Sequence, residues 1–253
     1  MRRARPVPRT AGENPAAEAV ATAEAVPPAE AVEPLDAPRD VASVPADPVF
    51  LVTGFEPFGA HGLNPSEAVA KSLDGRRIGG VAVVGAVLPV HHREAAWRVA
   101  LLLRELAPLA VLHLGLAEGR ARLALERVAL NVMEYPLPDN AGYRAEGEPC
   151  AADGPAAYFS TLPLPEMLAA LTAEGIPAYV SNTAGTYLCN QTLYTTLHEI
   201  AIRELPARAG FVHLPLSPAM VAASGADQPS MDAPLVLRGI EICLRVVAET
   251  LAP

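Results

Sequence analysis

Residues 177–214 read PAYVSNTAGTYLCNQTLYTTLHEIAIRELPARAGFVHL. The two ends, 177–181 and 210–214, are short apolar runs of strand length, and 186–203 between them has the length and spacing of a helix. Parallel neighbours in a sheet need a crossover of a dozen residues or more, usually a helix, and such crossovers are nearly always right-handed. The reading therefore sets 177–181 beside 210–214 as parallel neighbours with their carboxyl ends together. That edge of an open α/β sheet is where ligands bind. Two residues with chemistry meet there: Cys189, in the first turns of the helix, and His213, at the end of the second strand.

The same alternation runs outward from this unit. Further strands are expected at about 49–53, 81–88, 109–114 and 123–131, and helices at about 65–73, 92–106, 165–174 and 233–251, with a short one near 155–160. Asn64-Pro65 marks one helix start, an amide side chain that can cap followed by a proline that costs nothing at the first helical position. In the last helix Val236, Ile240, Cys243, Leu244, Val247 and Leu251 recur at three- and four-residue spacing, while Arg238, Glu241, Arg245 and Glu249 take the other face. Strands alternating with helices predict an α/β protein with a mostly parallel sheet and helices on both faces.

Residues 1–47 are a different polymer, rich in Ala, Pro, Glu and Val, basic at Arg2, Arg3, Arg5 and Arg9 and acidic afterwards. They read as a disordered extension without the apolar core of a secretory signal, leaving 48–253 as the folded domain. Across the 253 residues the hydrophobic fraction is 51%, enough for a sizeable core. No uninterrupted apolar stretch reaches the roughly 18 residues of a membrane span. A formal net charge of -9 without any basic stripe excludes nucleic acid as the expected partner. The three cysteines, Cys150, Cys189 and Cys243, are an odd set without paired or zinc-ligand spacing, and read as free thiols of a reducing cytoplasm. No metal or cofactor is expected. The adjacent His91-His92 pair is expected to point two ways.

The unpaired N–H groups at a helix start favour thiolate over thiol, which makes Cys189 the candidate nucleophile. His213 is its expected base. His198 is the rival, but nine residues along the same helix place it roughly 13 Å away and near the opposite face. A carboxylate holding the other imidazole nitrogen would complete the site. Glu126 interrupts an apolar run, where a charge is costly unless paired, and Asp139 sits in the turn-forming Leu137-Pro138-Asp139-Asn140; these residues alone leave the choice open. Thr53-Gly54-Phe55-Glu56-Pro57-Phe58-Gly59 follows the first strand, where Phe55 and Phe58 would line an apolar pocket for a small neutral ring. Its glycine spacing is not that of a dinucleotide fingerprint.

Several segments, in order, resemble the type I pyroglutamyl peptidases. They are Val52-Thr53-Gly54-Phe55-Glu56-Pro57-Phe58-Gly59 with Asn64-Pro65, Gly115-Leu116-Ala117-Glu118-Gly119-Arg120, Glu126-Arg127-Val128-Ala129-Leu130-Asn131, Pro138-Asp139-Asn140, Ser181-Asn182-Thr183-Ala184-Gly185-Thr186-Tyr187-Leu188-Cys189-Asn190, Gly210-Phe211-Val212-His213-Leu214-Pro215 and Pro229-Ser230-Met231. The resemblance implies a one-domain α/β/α sandwich and a cysteine peptidase that removes N-terminal pyroglutamyl residues. It implies Cys189 as nucleophile, His213 as base and Glu126 rather than Asp139 as orienting acid. Phe55 and Phe58 would enclose the pyrrolidone ring, with Asn64 holding their loop, and a cytoplasmic homo-oligomer, tetramer or dimer, would be the working form. Relatives often carry an arginine shortly before Pro-Asp-Asn, where this chain has Glu134-Tyr135-Pro136-Leu137, so a cation near the site is expected to be missing. Two other outcomes stay open: a cysteine amidase on the same scaffold, and a weakened protein that binds pyroglutamate without turning it over.

Overall fold

A computed structural model describes residues 47–251, so the extension expected over 1–47 lies outside the described residues except for Asp47. In chain order the elements are β1 (Val49–Phe55), α1 (Pro65–Leu73), β2 (Arg77–Ile78), β3 (Val81–Leu88), α2 (His92–Leu106), β4 (Ala110–Leu116), β5 (Leu123–Glu126), β6 (Val128–Leu130), β7 (Met133–Glu134), β8 (Glu146–Glu148), β9 (Ala157–Phe159), α3 (Leu164–Ala173), β10 (Ala178–Ser181), α4 (Leu188–Ile202), β11 (Arg208–Leu214), α5 (Pro218–Ser224) and α6 (Ala233–Leu251). The central sheet has seven strands in the order β10-β5-β11-β4-β1-β3-β2.

Period-two alternation assigns each strand residue to one of two cores. Phe50, Val52, Leu112, Leu114, Leu123, Leu125, Val212 and Leu214 face a core filled by α1, α3 and α6. Leu51, Phe55, Val111, Ala209 and Phe211 face the other, covered by α2 and α4. Each fully buried leucine or phenylalanine stabilises the fold by about 1.5–3 kcal/mol, which is why β1 and β4 are apolar almost throughout. The result is the expected α/β/α sandwich. The apolar stripe on the last helix is buried as read, with Val236, Ile240, Cys243, Leu244 and Val247 in the core, while Arg238 pairs with Glu174 and Glu241 with Arg76. Asn64 caps α1, its side chain accepting from Ser66 N–H at 3.1 Å. Among the described residues no helix is long and apolar enough to cross a membrane.

The decisive unit is built differently from its reading. β10 and β11 are not neighbours: β5 lies between them, parallel to β10 and antiparallel to β11. The chain after β10 therefore crosses the sheet face through α4 to reach a strand of opposite direction. Apolar runs specify burial, not direction, and the crossover rule applies only to strands that are parallel in the first place.

Three further expectations are corrected. The run 123–131 is not one strand; it breaks at the exposed Arg127, whose N–H bonds Ser181 O at 2.8 Å and whose carbonyl accepts from Ser160 N–H at 2.8 Å, so the chain leaves the sheet there. The segment near 155–160 is extended, not helical, because β9 pairs antiparallel with β6. The first strand continues through Gly54 and Phe55. Gly54 does not turn; it lets α1 approach, since a Cβ there would lie 2.1 Å from the Ser66 carbonyl oxygen.

Candidate active site

Pairing puts a row of side chains on the α2/α4 face of the sheet. Phe211 stands opposite His113 on β4 and Glu126 on β5, and His213 stands opposite Gly115 and Ala124. Glu126 is thus the diagonal neighbour of His213, a relation within reach of long side chains. His213 Nδ1 donates to Glu126 Oε1 at 2.8 Å. That bond leaves Nε2 as the acceptor of the neutral ring. The antiparallel register, unforeseen from sequence, is what brings the two together.

Arg120 Nη1 donates to the same Oε1 at 2.7 Å. This cation comes from the loop after β4, while the 134–137 stretch contains none. Glu126 is fully buried, and among the described residues nothing bonds its Oε2.

Cys189 is the second residue of α4, which starts after Tyr187 without a side-chain cap. Its sulfur rests over Gly115, where a Cβ would come within 2.9 Å of Sγ and 2.7 Å of the Phe211 ring. Only glycine leaves that seat open. Two neighbours fix the first turn of α4. Asn190 Nδ2 donates to the carbonyls of Leu130 and Val132 at 2.9 and 3.0 Å, and its Oδ1 accepts from Leu130 N–H at 2.8 Å. Gln191 Nε2 donates to His92 O at 2.8 Å, and its Oε1 accepts from the buried Tyr135 hydroxyl.

Burial dominates the electrostatics. It pushes the Cys189 thiol up to about 12, a rise to which Glu126 adds and which Arg120 opposes. The N–H groups at the start of α4 act in the opposite sense to that desolvation. Burial also lowers His213, against the pull of Glu126 and with help from Arg120. Both shifts favour the uncharged forms of the two groups.

A cavity of about 210 Å³ is lined by Phe55, Phe58, Val90, Tyr187, Leu188 and Ala184 on its apolar side and by Asn64, Arg120, Cys189 and His213 elsewhere. Phe58 packs against Tyr187 with ring centroids 6.0 Å apart. Asn64 Nδ2 donates to Glu56 O at 3.1 Å, which ties the start of α1 to the end of β1.

The other candidates lie elsewhere. Asp139 Oδ1 accepts from Ala141 and Tyr143 N–H, and Oδ2 from His92 N–H and the His92 ring. Burial would raise Asp139, but these bonds more than offset it and the group is lowered. It is a turn anchor. His91 and His92 do not point two ways; their rings stack in parallel, 5.2 Å apart. His91, His92 and Asp139 place donor atoms within 4.8 Å of one another, yet His91 Nδ1 caps α2 and Asp139 is saturated. His198 bonds the Tyr158 hydroxyl at 2.9 Å. Cys150 contacts Leu130 O at 3.6 Å and Cys243 is core, both thiols pushed up to about 12 by burial.

His113 was not singled out from sequence. It is fully buried on β4, with Nδ1 2.7 Å from Thr53 Oγ1 and Nε2 2.8 Å from Thr196 Oγ1. Thr196 donates its own hydroxyl to Thr192 O at 2.8 Å, so it accepts from Nε2–H, and Thr53 donates to Nδ1. The neutral ring is fully satisfied and joins β1, β4 and α4. A histidine in an apolar strand run was the available signal.

A thiol at a helix start, an imidazole in the same cavity and a buried carboxylate on that imidazole, all on one face of an α/β sheet, make the equipment of a thiol hydrolase. Residues 49–250 match the pyroglutamyl peptidase family, and the chain belongs to that family of cysteine-type omega peptidases. The pyrrolidone-carboxylate peptidase of Pyrococcus furiosus is 42% identical over 204 residues, 79% of this chain and 98% of that one. Pyrrolidone-carboxylate peptidase 1 of Ralstonia nicotianae is 44% identical over 197 residues, 78% and 91% of the two chains. The solved pyrrolidone carboxyl peptidase of Thermococcus litoralis is similar with a TM-score of 0.78 at 39% identity, covering 81% of this chain and 94% of that one.

Proposed function

We propose that this chain removes N-terminal pyroglutamyl residues from peptides, with Cys189 as nucleophile, His213 as base and Glu126 as the acid that orients it. The observation that carries the reading is the Glu126–His213 bond of 2.8 Å leading into the cavity that Cys189, Phe55 and Phe58 share. His213 Nε2 takes the thiol proton as sulfur attacks the carbonyl joining the pyroglutamyl residue to the next one. Glu126, bonded to Nδ1, stabilises the imidazolium that forms. The same proton goes to the leaving amine. Water, deprotonated by His213, then attacks the thioester, releasing pyroglutamate and the free thiol. The uncapped first-turn N–H groups of α4 supply donors for the oxyanion.

The substrate's first residue is a neutral lactam. A cavity walled by Phe55, Phe58, Val90 and Tyr187 accepts such a ring and rejects a free charged amine, which would be desolvated without a partner. No metal or cofactor enters these steps. Assembly as a cytoplasmic homo-oligomer, tetramer or dimer, belongs to the same proposal. Hydrolysis of a pyroglutamyl-arylamide tests the reaction: the wild type should turn it over, and Cys189→Ala should lose at least about 10⁴-fold in kcat while keeping its fold. Turnover undiminished in that variant would refute the nucleophile. Binding of pyroglutamate without turnover by the wild type would instead select the binding-protein reading.

A further inference from the structure

The ring-binding wall is fastened from outside the cavity. Phe58 opens a turn closed by the bond from His61 N–H to Phe58 O at 3.1 Å, and the His61 ring meets the Phe58 ring edge-on at 6.1 Å. His61 Nε2 in turn donates to Glu118 Oε1 at 2.5 Å, across 57 residues of chain. Glu118 belongs to the loop after β4, two residues before Arg120, and its neighbour Ala117 lines the cavity. One hydrogen bond thus joins the loop carrying Phe58 to the loop carrying the cation on Glu126.

Neither partner lines the cavity. His61 is about a quarter exposed and Glu118 about half. On its other sides Phe58 touches Tyr187 and the small cluster of Leu116, Leu216 and Met220, and Pro57 O accepts from Asn140 Nδ2 at 3.0 Å. The pair adds to these a hold on the turn from the loop after β4. A ring bound against Phe58 needs that wall in place in the ground state as much as in the transition state, so loosening it weakens binding uniformly.

We propose that His61 and Glu118 form a clasp that positions Phe58 and thereby sets affinity for the pyrrolidone ring. They are positioning residues, and the proposal rests on the pyroglutamyl reading of the cavity. The test measures KM and kcat for a pyroglutamyl-arylamide, and Kd for 2-pyrrolidone by calorimetry, in the wild type, His61→Ala, Glu118→Gln, the double variant and His61→Gln. Each single variant should raise both KM and Kd about three- to fivefold, the scale of one partly exposed hydrogen bond. Throughout, kcat should stay within about twofold, the signature of lost uniform binding. The double variant should be no worse than either single one, and His61→Gln, whose amide still donates to Glu118, should recover part of the loss. Unchanged KM and Kd in the single variants, losses that multiply in the double, or a fall in kcat at constant KM would each overturn the clasp. Wild type that binds 2-pyrrolidone but does not cleave the arylamide would refute the peptidase reading, with the clasp still decided by Kd. Wild type that neither binds nor cleaves would refute both.

Discussion

Gly115 and Cys189 show how little room the chemistry leaves. A single methyl at position 115 would sit 2.9 Å from the sulfur and 2.7 Å from the Phe211 ring. Backbone cannot yield there, because Gly115 is paired in register with His213. Gly115→Ala is therefore expected to displace the thiol while costing about 1–3 kcal/mol from overpacking. A displacement near 1 Å is worth about 100-fold in rate, so kcat/KM for the arylamide should fall by that order with the protein still folded. Wild-type kinetics in Gly115→Ala would show that sulfur does not need this seat. The two histidines that competed for the role of base separate on the same assay. His213→Ala should lose about 10⁴-fold or more in kcat, as removal of a triad base does, while His198→Ala, whose ring bonds Tyr158 on the far side of α4, should keep its activity. The opposite pattern would overturn the assignment of His213.

At the level of elements, α4 is the part that must be held, since it carries Cys189 and begins without a cap. Asn190 holds it to the 130–132 segment through three hydrogen bonds and is fully buried. Asn190→Ala leaves the Leu130 N–H and two carbonyls to seek other partners, at about 1–3 kcal/mol for each that fails. A drop in the urea midpoint with at least that loss, together with a lower kcat, is the expected outcome; unchanged midpoint and rate would mean α4 is held by packing alone. Sequence made α4, its length and the position of Cys189 legible, because apolar spacing and strand-length runs report burial and element type. It made Glu126 legible only as a charge out of place in an apolar run. It did not reveal that β5 lies between β10 and β11, parallel to the first and antiparallel to the second, since an apolar run can pair in either direction. That register decides the Glu126–His213 contact, so the expected site was reached by a connection that the chain does not use. Arg120 was visible in its motif but without a role, because a loop residue's reach depends on where the loop closes.

For the whole molecule, the buried histidines set how stability responds to acid. His113 is lowered by burial to about 3, against 6.5 for an accessible imidazole, and His213 is lowered as well. The unfolded chain thus takes up protons that the folded one refuses. A group lowered on folding contributes fully above its unfolded value, and that contribution is lost as pH falls below about 6.5 towards the folded value. For His113 the loss is at most about 1.4 kcal/mol per pH unit, or about 3 kcal/mol between pH 7 and 4.5. His213 and the hydrogen-bonded Asp139, also lowered in the folded state, act in the same direction. Protonation of His113 would turn the Thr53 hydroxyl from donor to acceptor and leave a charge buried between two neutral hydroxyls. Acid would thereby loosen β1, β4 and α4 together, the three elements that converge behind Cys189. Urea unfolding at pH 7 and 4.5 should show wild type losing more stability than His113→Gln, which cannot titrate, by roughly one proton's worth of slope. Equal slopes in the two proteins would mean that His113 is not the group whose burial makes the fold acid-sensitive.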